Sequence, residues 1–346
     1  MKKILFAILC AGAVISCAKE EVVTADYEAI SFENAFVDNA TKALDNYTIT
    51  KSDLGTFYVW GTTQRPGVDE IVPIFVQEEV SSSDSGENWT YASGKTQYWI
   101  PGNAYVFAAV KNYESVGLVD GVPATIVYDA ETQKDLLYDG ATAEGKAAGS
   151  NAPVAFTFEH LLSKAYFTVK NEMSAANELY SYRVSNIAIN NAVKKATYTI
   201  STEKWADATE SYTTTSALYF GNVNGTADAN TAEAVKILAG KTNYTSHYSR
   251  LLIPAKYSST NKLNITCTIE TLYGNAVIDV NNYNKDIDFT FVKGHAYNFI
   301  LTLQNPGDEI EFTVLPVNEW ITDHNDDEFS GDEDDLPTPE NHIPAN

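Results

Sequence analysis

Apolar and polar residues alternate with a period of two through most of this chain. The alternating runs are short, rich in Tyr, Thr, Val, Ile and Phe, and are separated by clusters of Gly, Asn, Asp and Ser. Residues 56–60, 105–110, 166–169, 184–189, 251–253, 277–280 and 297–303 read as strands with one face for a core and one for water. In 263–269, Leu263, Ile265, Cys267 and Ile269 alternate with Asn264, Thr266 and Thr268, so Cys267 is expected inside a strand with its thiol buried. No segment keeps a helical period for more than a turn or two, and the best helical stretches are 134–138 and 159–163. The pattern predicts an all-β chain with two packed sheets per domain and short helical turns only.

At 346 residues the chain is long enough for two separate cores. Its first residues have another character: Lys2 and Lys3 precede a nearly continuous apolar run over 4–15, too short to span a bilayer stably, which reads as an export signal. The organisation expected is a signal over 1–16, a polar tether over 17–26, a first β-sandwich over 27–175, a second over 176–322, and a tail over 323–346. The weak stretch 171–178 marks the boundary between the sandwiches, and 141–152 reads as a loop of low complexity.

Charge narrows the partners. The formal net charge is −23, and loss of Lys2 and Lys3 would make it more negative still. Such a surface repels phosphate backbones, so no nucleic-acid partner is expected. Three cysteines are present. Cys10 lies in the signal and Cys17 at its end, which leaves Cys267 without an intrachain partner in a processed chain, so stability must come from core area.

Catalytic patterns are missing. The five histidines (His160, His247, His295, His324, His342) lack the spacing of a zinc helix or finger, and neither a G-x-S-x-G elbow nor a phosphate-cradling glycine loop occurs. His160 and His295 read as packed, hydrogen-bonded structural residues. No enzyme activity, cofactor or metal is expected. The last 24 residues hold nine carboxylates and no Lys or Arg. Asp323, Asn325, Asp327 and the acids at 332–335 offer oxygens to calcium, but Glu328 stands where a calcium loop has glycine and Asp334 where it has glutamate, so a solvated acidic tail is the preferred reading.

Ser16-Cys17, preceded by Val14-Ile15, resembles the lipobox of bacterial lipoproteins, which implies a diacylglycerol on Cys17. The residue after it is Ala18 rather than Asp, and Lys19-Glu20-Glu21 resembles the signal that carries some lipoproteins to the outer face of the outer membrane. Further on, Tyr98-Trp99-Ile100-Pro101-Gly102 before Tyr105, Asp135-Leu136-Leu137-Tyr138, and the run from Phe156 through His160 to Leu162-Ser163-Lys164 follow in order. Leu252-Ile253-Pro254, Gly294-His295-Ala296-Tyr297-Asn298-Phe299 and the closing Val317 to Trp320 complete a series that resembles the fimbrillin (Mfa-like) family of lipoprotein pilin precursors.

That resemblance implies two tandem transthyretin-like sandwiches, and for polymerising members a protease that removes the first strand, leaving a groove filled by a strand of the next subunit. The displaced strand would carry Ile30, Phe32, Ala35 and Phe36, with cleavage between Lys42 and Ala43; a solvated loop is the alternative reading of Lys42. Ile310, Phe312 and Val314 alternate as a donor strand should, although 317–320 completes the second domain in the family and this stretch could be occupied within its own chain. The tail beyond Asp323 has too few apolar residues to fill a groove, so a tip, accessory or anchor role stands beside that of a stalk subunit. The partners implied are other fimbrial subunits, the outer membrane through the lipid, and host or bacterial surface ligands. An alternative is a surface lipoprotein that binds glycans through exposed aromatics, for which Trp89 and Tyr91 in a Ser- and Gly-rich loop are the residues to test.

Overall fold

The computed structural model describes residues 27–37, 54–86, 88–223, 234–240, 242–246, 248–306 and 310–317. The described strands up to residue 160 are β1 (Phe32–Val37), β2 (Thr56–Gln64), β3 (Ile71–Ser81), β4 (Ala104–Lys111), β5 (Ser115–Val119), β6 (Val122–Asp129), β7 (Leu137–Glu144) and β8 (Val154–His160). After them come β9 (Ser163–Asn171), β10 (Tyr180–Ile189), β11 (Val193–Thr199), β12 (Lys204–Trp205), β13 (Glu210–Ser211), β14 (Leu218–Gly221), β15 (Ile237–Leu238) and β16 (Thr242–Thr245). The last are β17 (Arg250–Leu252), β18 (Lys256–Tyr257), β19 (Leu263–Tyr273), β20 (Ala276–Ile287), β21 (Phe289–Thr290), β22 (Ala296–Leu303) and β23 (Glu311–Val317).

The chain is all-β, as its alternation predicts. Short 3-10 turns stand at Ser93–Lys95, Ala130–Thr132 and Ile200–Thr202. The two helical stretches expected from sequence are corrected: 137–138 opens β7, 159–160 closes β8, and Ser163 begins β9. Their apolar residues sit together because both faces of these segments are covered, which removes the period-two signature and mimics a helical turn. The low-complexity loop is shorter than expected, since β7 runs on to Glu144.

The first core lies inside a six-stranded sheet of order β1-β8-β7-β4-β2-β3. The sheet curls until its two edges meet. Phe32 on β1 reaches Phe75 on β3, with ring centroids 5.5 Å apart. Trp89 and Thr90 span the gap, bridging Phe32 on one side and Ser81 on the other. Phe57, Val59, Phe107, Phe156 and Phe158 fill the interior.

The second core lies between the sheet β14-β10-β19-β20 and the sheet β16-β9-β22-β23. Val184, Ile187 and Ile189 on β10 and Leu263, Ile265, Cys267 and Ile269 on β19 face Phe167, Phe299 and Leu301. Packing passes from the first core to the second between Phe158 and Leu161, so β9, which precedes residue 175, contributes Phe167 and Val169 to the second core. A small sheet of order β12-β11-β6-β5 ties the two parts together, because β6 from the first half pairs along its length with β11 from the second. Its Ile126 and Tyr128 join Trp60 and Val110, from the outer face of β2 and β4, in the second core.

Candidate functional site

The residues that bear on assembly are those of β1 and the segments that hold it. Ile30 and Phe32 are 1 % exposed, and Ala35 is fully buried, whereas Ser31 and Glu33 are exposed. The inward phase changes between 32 and 35 because β1 bulges there: Glu33 pairs with Ala155 but Phe36 with Thr157, one extra residue on the β1 side. The Phe36 side chain lies outside the described residues; its backbone is in the ladder.

Phe32 is the centre of an aromatic cluster. Its ring stacks on Phe156 at 5.8 Å and meets Tyr91 at 5.7 Å and Phe107 at 6.4 Å, besides Phe75. Burying one such ring contributes about 1.5–3 kcal/mol before the edge contacts are added. Two different neighbours hold the backbone. Ile30 N–H donates to the Gln97 carbonyl (2.8 Å) and Trp99 N–H to that of Glu28 (2.9 Å), whereas from Phe32 onward the strand runs parallel to β8. The Tyr91 hydroxyl donates to the Ile30 carbonyl at 2.8 Å, and burial raises its pKa, which keeps it a donor.

The start of the segment is held by a partly exposed carboxylate. Glu28 accepts from the Asn151 amide (2.8 Å), the Asn151 N–H (3.2 Å) and the Gly149 N–H (3.0 Å). The Asn151 side chain, first among these, lowers the Glu28 pKa. Lys42 and Ala43 lie outside the described residues, as do Cys17, Lys19, Glu20 and Glu21, and the acidic tail.

The donor residues have partners within the chain. Ile310, Phe312 and Val314 are half-buried against the second core, where β23 is the edge strand beside β22. Phe312 pairs with Leu301 and Val314 with Phe299, and the rings of Phe312 and Phe299 are 6.0 Å apart.

The structure corrects one aromatic reading. Trp89 is 5 % exposed and its ring lies 5.0 Å from Phe57, while the half-buried Tyr91 is tied to β1, so neither presents a face to a sugar. Nothing in the Ser- and Gly-rich sequence around them tells that the loop closes a curled sheet.

The order of the short sequence motifs has a spatial meaning that sequence did not supply. Asp135 to Tyr138, Glu159 to Lys164 and Gly294-His295 meet where the two cores join. Leu161 N–H donates to the Leu136 carbonyl (3.0 Å), Gly294 N–H to that of Leu162 (2.8 Å), Lys164 N–H to that of His295 (2.9 Å) and the Ser163 hydroxyl to that of Val292 (2.7 Å). The His160 Nδ1 lies 2.7 Å from the Asp135 carboxylate, with both side chains at most 3 % exposed. His295 Nδ1 lies 2.9 Å from the Lys293 carbonyl. Lys293 reaches Glu159 (2.9 Å) and Glu203 (3.1 Å); partial burial works against its charge, but the two carboxylates outweigh it and raise the pKa.

Among the described residues, no group of three or more His, Cys, Asp or Glu side chains is placed to hold a metal ion, and no helix is long and apolar enough to cross a membrane.

Residues 41–320 match the family described as fimbrillin-like. No curated protein matches the chain. Among solved structures, it is similar to a fimbrial protein from Bacteroides vulgatus, with a TM-score of 0.60 and 16 % identity over 85 % of this chain and 99 % of the other. It is also similar to a candidate cell adhesion protein from Bacteroides ovatus, with a TM-score of 0.52 and 15 % identity over 86 % of this chain and 99 % of the other. At such identities the likeness to each is one of fold.

Proposed function

The chain belongs to the fimbrillin-like family, and from that premise we propose that it is a lipid-anchored, surface-exposed fimbrial subunit, of stalk, tip, accessory or anchor type, that assembles by donor-strand exchange and serves adhesion. Family and fimbrial likeness together point to a structural protein rather than an enzyme. The partners on this reading are other fimbrial subunits, and the location is the outer face of the outer membrane and the fimbria, reached through acylated Cys17 and the Lys19-Glu20-Glu21 signal.

The observation that carries the proposal is the placement of β1. It is the edge strand of its sheet, it covers Phe75, Phe107 and Phe156 with a single ring, and it is followed in the sequence by the Lys42-Ala43 bond. Cleavage at that bond would separate the strand from the remaining chain. Its departure would leave an apolar groove beside the open edge of β8, the situation that strand addition relieves. The donor residues suit that groove: Ile310-Glu311-Phe312 repeats the Ile-x-Phe spacing of Ile30-Ser31-Phe32. β23 has one neighbour and is half-buried, so its release breaks one ladder.

The test is the N-terminus of the protein sheared from its native cells, read by mass spectrometry, together with a variant lacking residues 30–36. A start at Ala43 and oligomers of the deletion variant are the expected results for a polymerising subunit. A start at acylated Cys17 identifies an uncleaved anchor. A deletion variant that stays folded and strictly monomeric would overturn strand exchange at this site.

A further inference from the structure

On the outer face of the second sandwich, across β14, β10, β19 and β20, lies a cleft of about 290 Å³. Its shape follows from side-chain size along one row of paired residues. Tyr219 pairs with Ala188, Ala188 with Thr266, and Thr266 with Asn284, so small residues form the floor between a tyrosine on one rim and an amide on the other. Tyr219 is 51 % exposed. The next row pairs Ser185, Thr268 and Asn282. Between the two rows β10 bulges, and Asn186 sits in the left-handed region (φ +55°), a conformation that asparagine tolerates better than most residues and that turns its side chain toward the cleft.

The lining sets the amides and hydroxyls of Asn, Thr and Tyr residues beside the apolar Ala188 and Cys267, and it carries no charged side chain. That is unusual on a chain with a net charge of −23. Asparagine is also disfavoured in strands, yet Asn282 and Asn284 on β20 line this face, with Asn190 just past the end of β10. Their hydrogen bonds within the chain use acceptors and spare donors. Asn284 Oδ1 accepts from the Asn264 amide (2.7 Å) and Asn282 Oδ1 accepts from the Thr268 hydroxyl (3.3 Å), so the NH2 groups of both remain for a ligand. Asn190 donates to Asn264 Oδ1 (2.6 Å) and Thr266 Oγ1 (3.1 Å), which leaves its carbonyl as an acceptor.

We infer that this cleft binds one ring of a neutral sugar. Amide donors and acceptors on neighbouring strands match the adjacent hydroxyls of a pyranose, and the exposed Tyr219 ring offers an apolar face for its C–H side. The absence of charge disfavours a phosphate, a sulfated sugar or an ionic peptide, and the volume stands at the small end of the range for ligand sites, about 300 Å³. The site is remote in sequence from β1 and does not depend on strand exchange.

The test uses the full chain and saturation-transfer NMR with neutral hexoses, their methyl glycosides and N-acetylhexosamines. Saturation of at least one sugar is expected, weakened about tenfold in Tyr219→Ala and in Asn282→Ala, and abolished in Thr266→Trp, which fills the floor. Asn282 is exposed on an edge strand, so that variant keeps the fold even if Thr266→Trp does not. A Val76→Ala variant, on the exposed face of β3, leaves binding unchanged. Lack of transfer to every sugar, or transfer that persists in Tyr219→Ala and Asn282→Ala alike, would overturn the inference, whatever the N-terminus or the assembly state proves to be.

Discussion

Glu28 shows how a single partly exposed residue can add to the hold on the segment that leads into β1. Three N–H donors, two of them from Asn151, stabilise its charged form and lower its pKa. A carboxyl whose pKa is lower folded than unfolded contributes stability that is complete above its unfolded value and is lost as the pH falls through the folded one. Asn151→Ala should therefore bring the Glu28 pKa, followed by NMR, back toward the ordinary glutamate value of about 4.3. In denaturant titrations the gap between the parent and this variant should close on acidification. A gap that widens in acid would show that Asn151 acts through something other than this carboxylate.

Among elements, the turn between Tyr98 and Gly102 illustrates how tightly the first core is closed. Gly102 N–H donates to the Gly145 carbonyl (2.7 Å), and Gly145 N–H to that of Asn103 (2.8 Å). A Cβ on Gly145 would collide with the Ile100 carbonyl, which is backbone and cannot swing aside. Gly145→Ala should cost about 1–3 kcal/mol in urea unfolding. Gly149→Ala serves as the comparison for loop glycines, because a side chain there meets open space and only its positive φ (+78°) opposes the change. Equal losses in the two would mean that the close approach at Ile100 is relieved by backbone movement.

For the whole molecule, the junction of the two cores depends on segments far apart in sequence. The Asp135 carboxylate and His160 ring are shut from water at that junction, and removal of one leaves the other buried beside apolar residues. Asp135→Ala, which takes a polar contact from a buried imidazole that can remain neutral, should lower stability by about 1–3 kcal/mol. Because β6 pairs with β11 and the 159–164 segment hydrogen-bonds to 292–295, the loss should appear as one cooperative transition by fluorescence and by circular dichroism. Two separated transitions would show that the cores unfold independently despite these ties.

Alternation is a local property of each segment, so most strands and inward faces were legible in the sequence; the inward face of the run 277–280 was not, because it lies in β20 with Val277, Ile278 and Val280 all exposed rather than facing a core. Cys267 lies between Ile265 and Ile269 on the core side, and burial pushes its thiol pKa to about 12, as its place in an alternating run implies. Ile30 and Phe32 were legible in the same way, and so was the family, through motifs that keep their order along the chain. Long-range packing settles which segments touch. The curl that sets Phe32 against Phe75, the burial of Trp89, the pairing of β6 with β11 and the row Tyr219-Ala188-Thr266-Asn284 each join residues from separate strands. Which strands pair and which sheet faces pack together are fixed by the sum of contacts between segments distant in sequence, and the local pattern of apolar and polar residues does not name those partners.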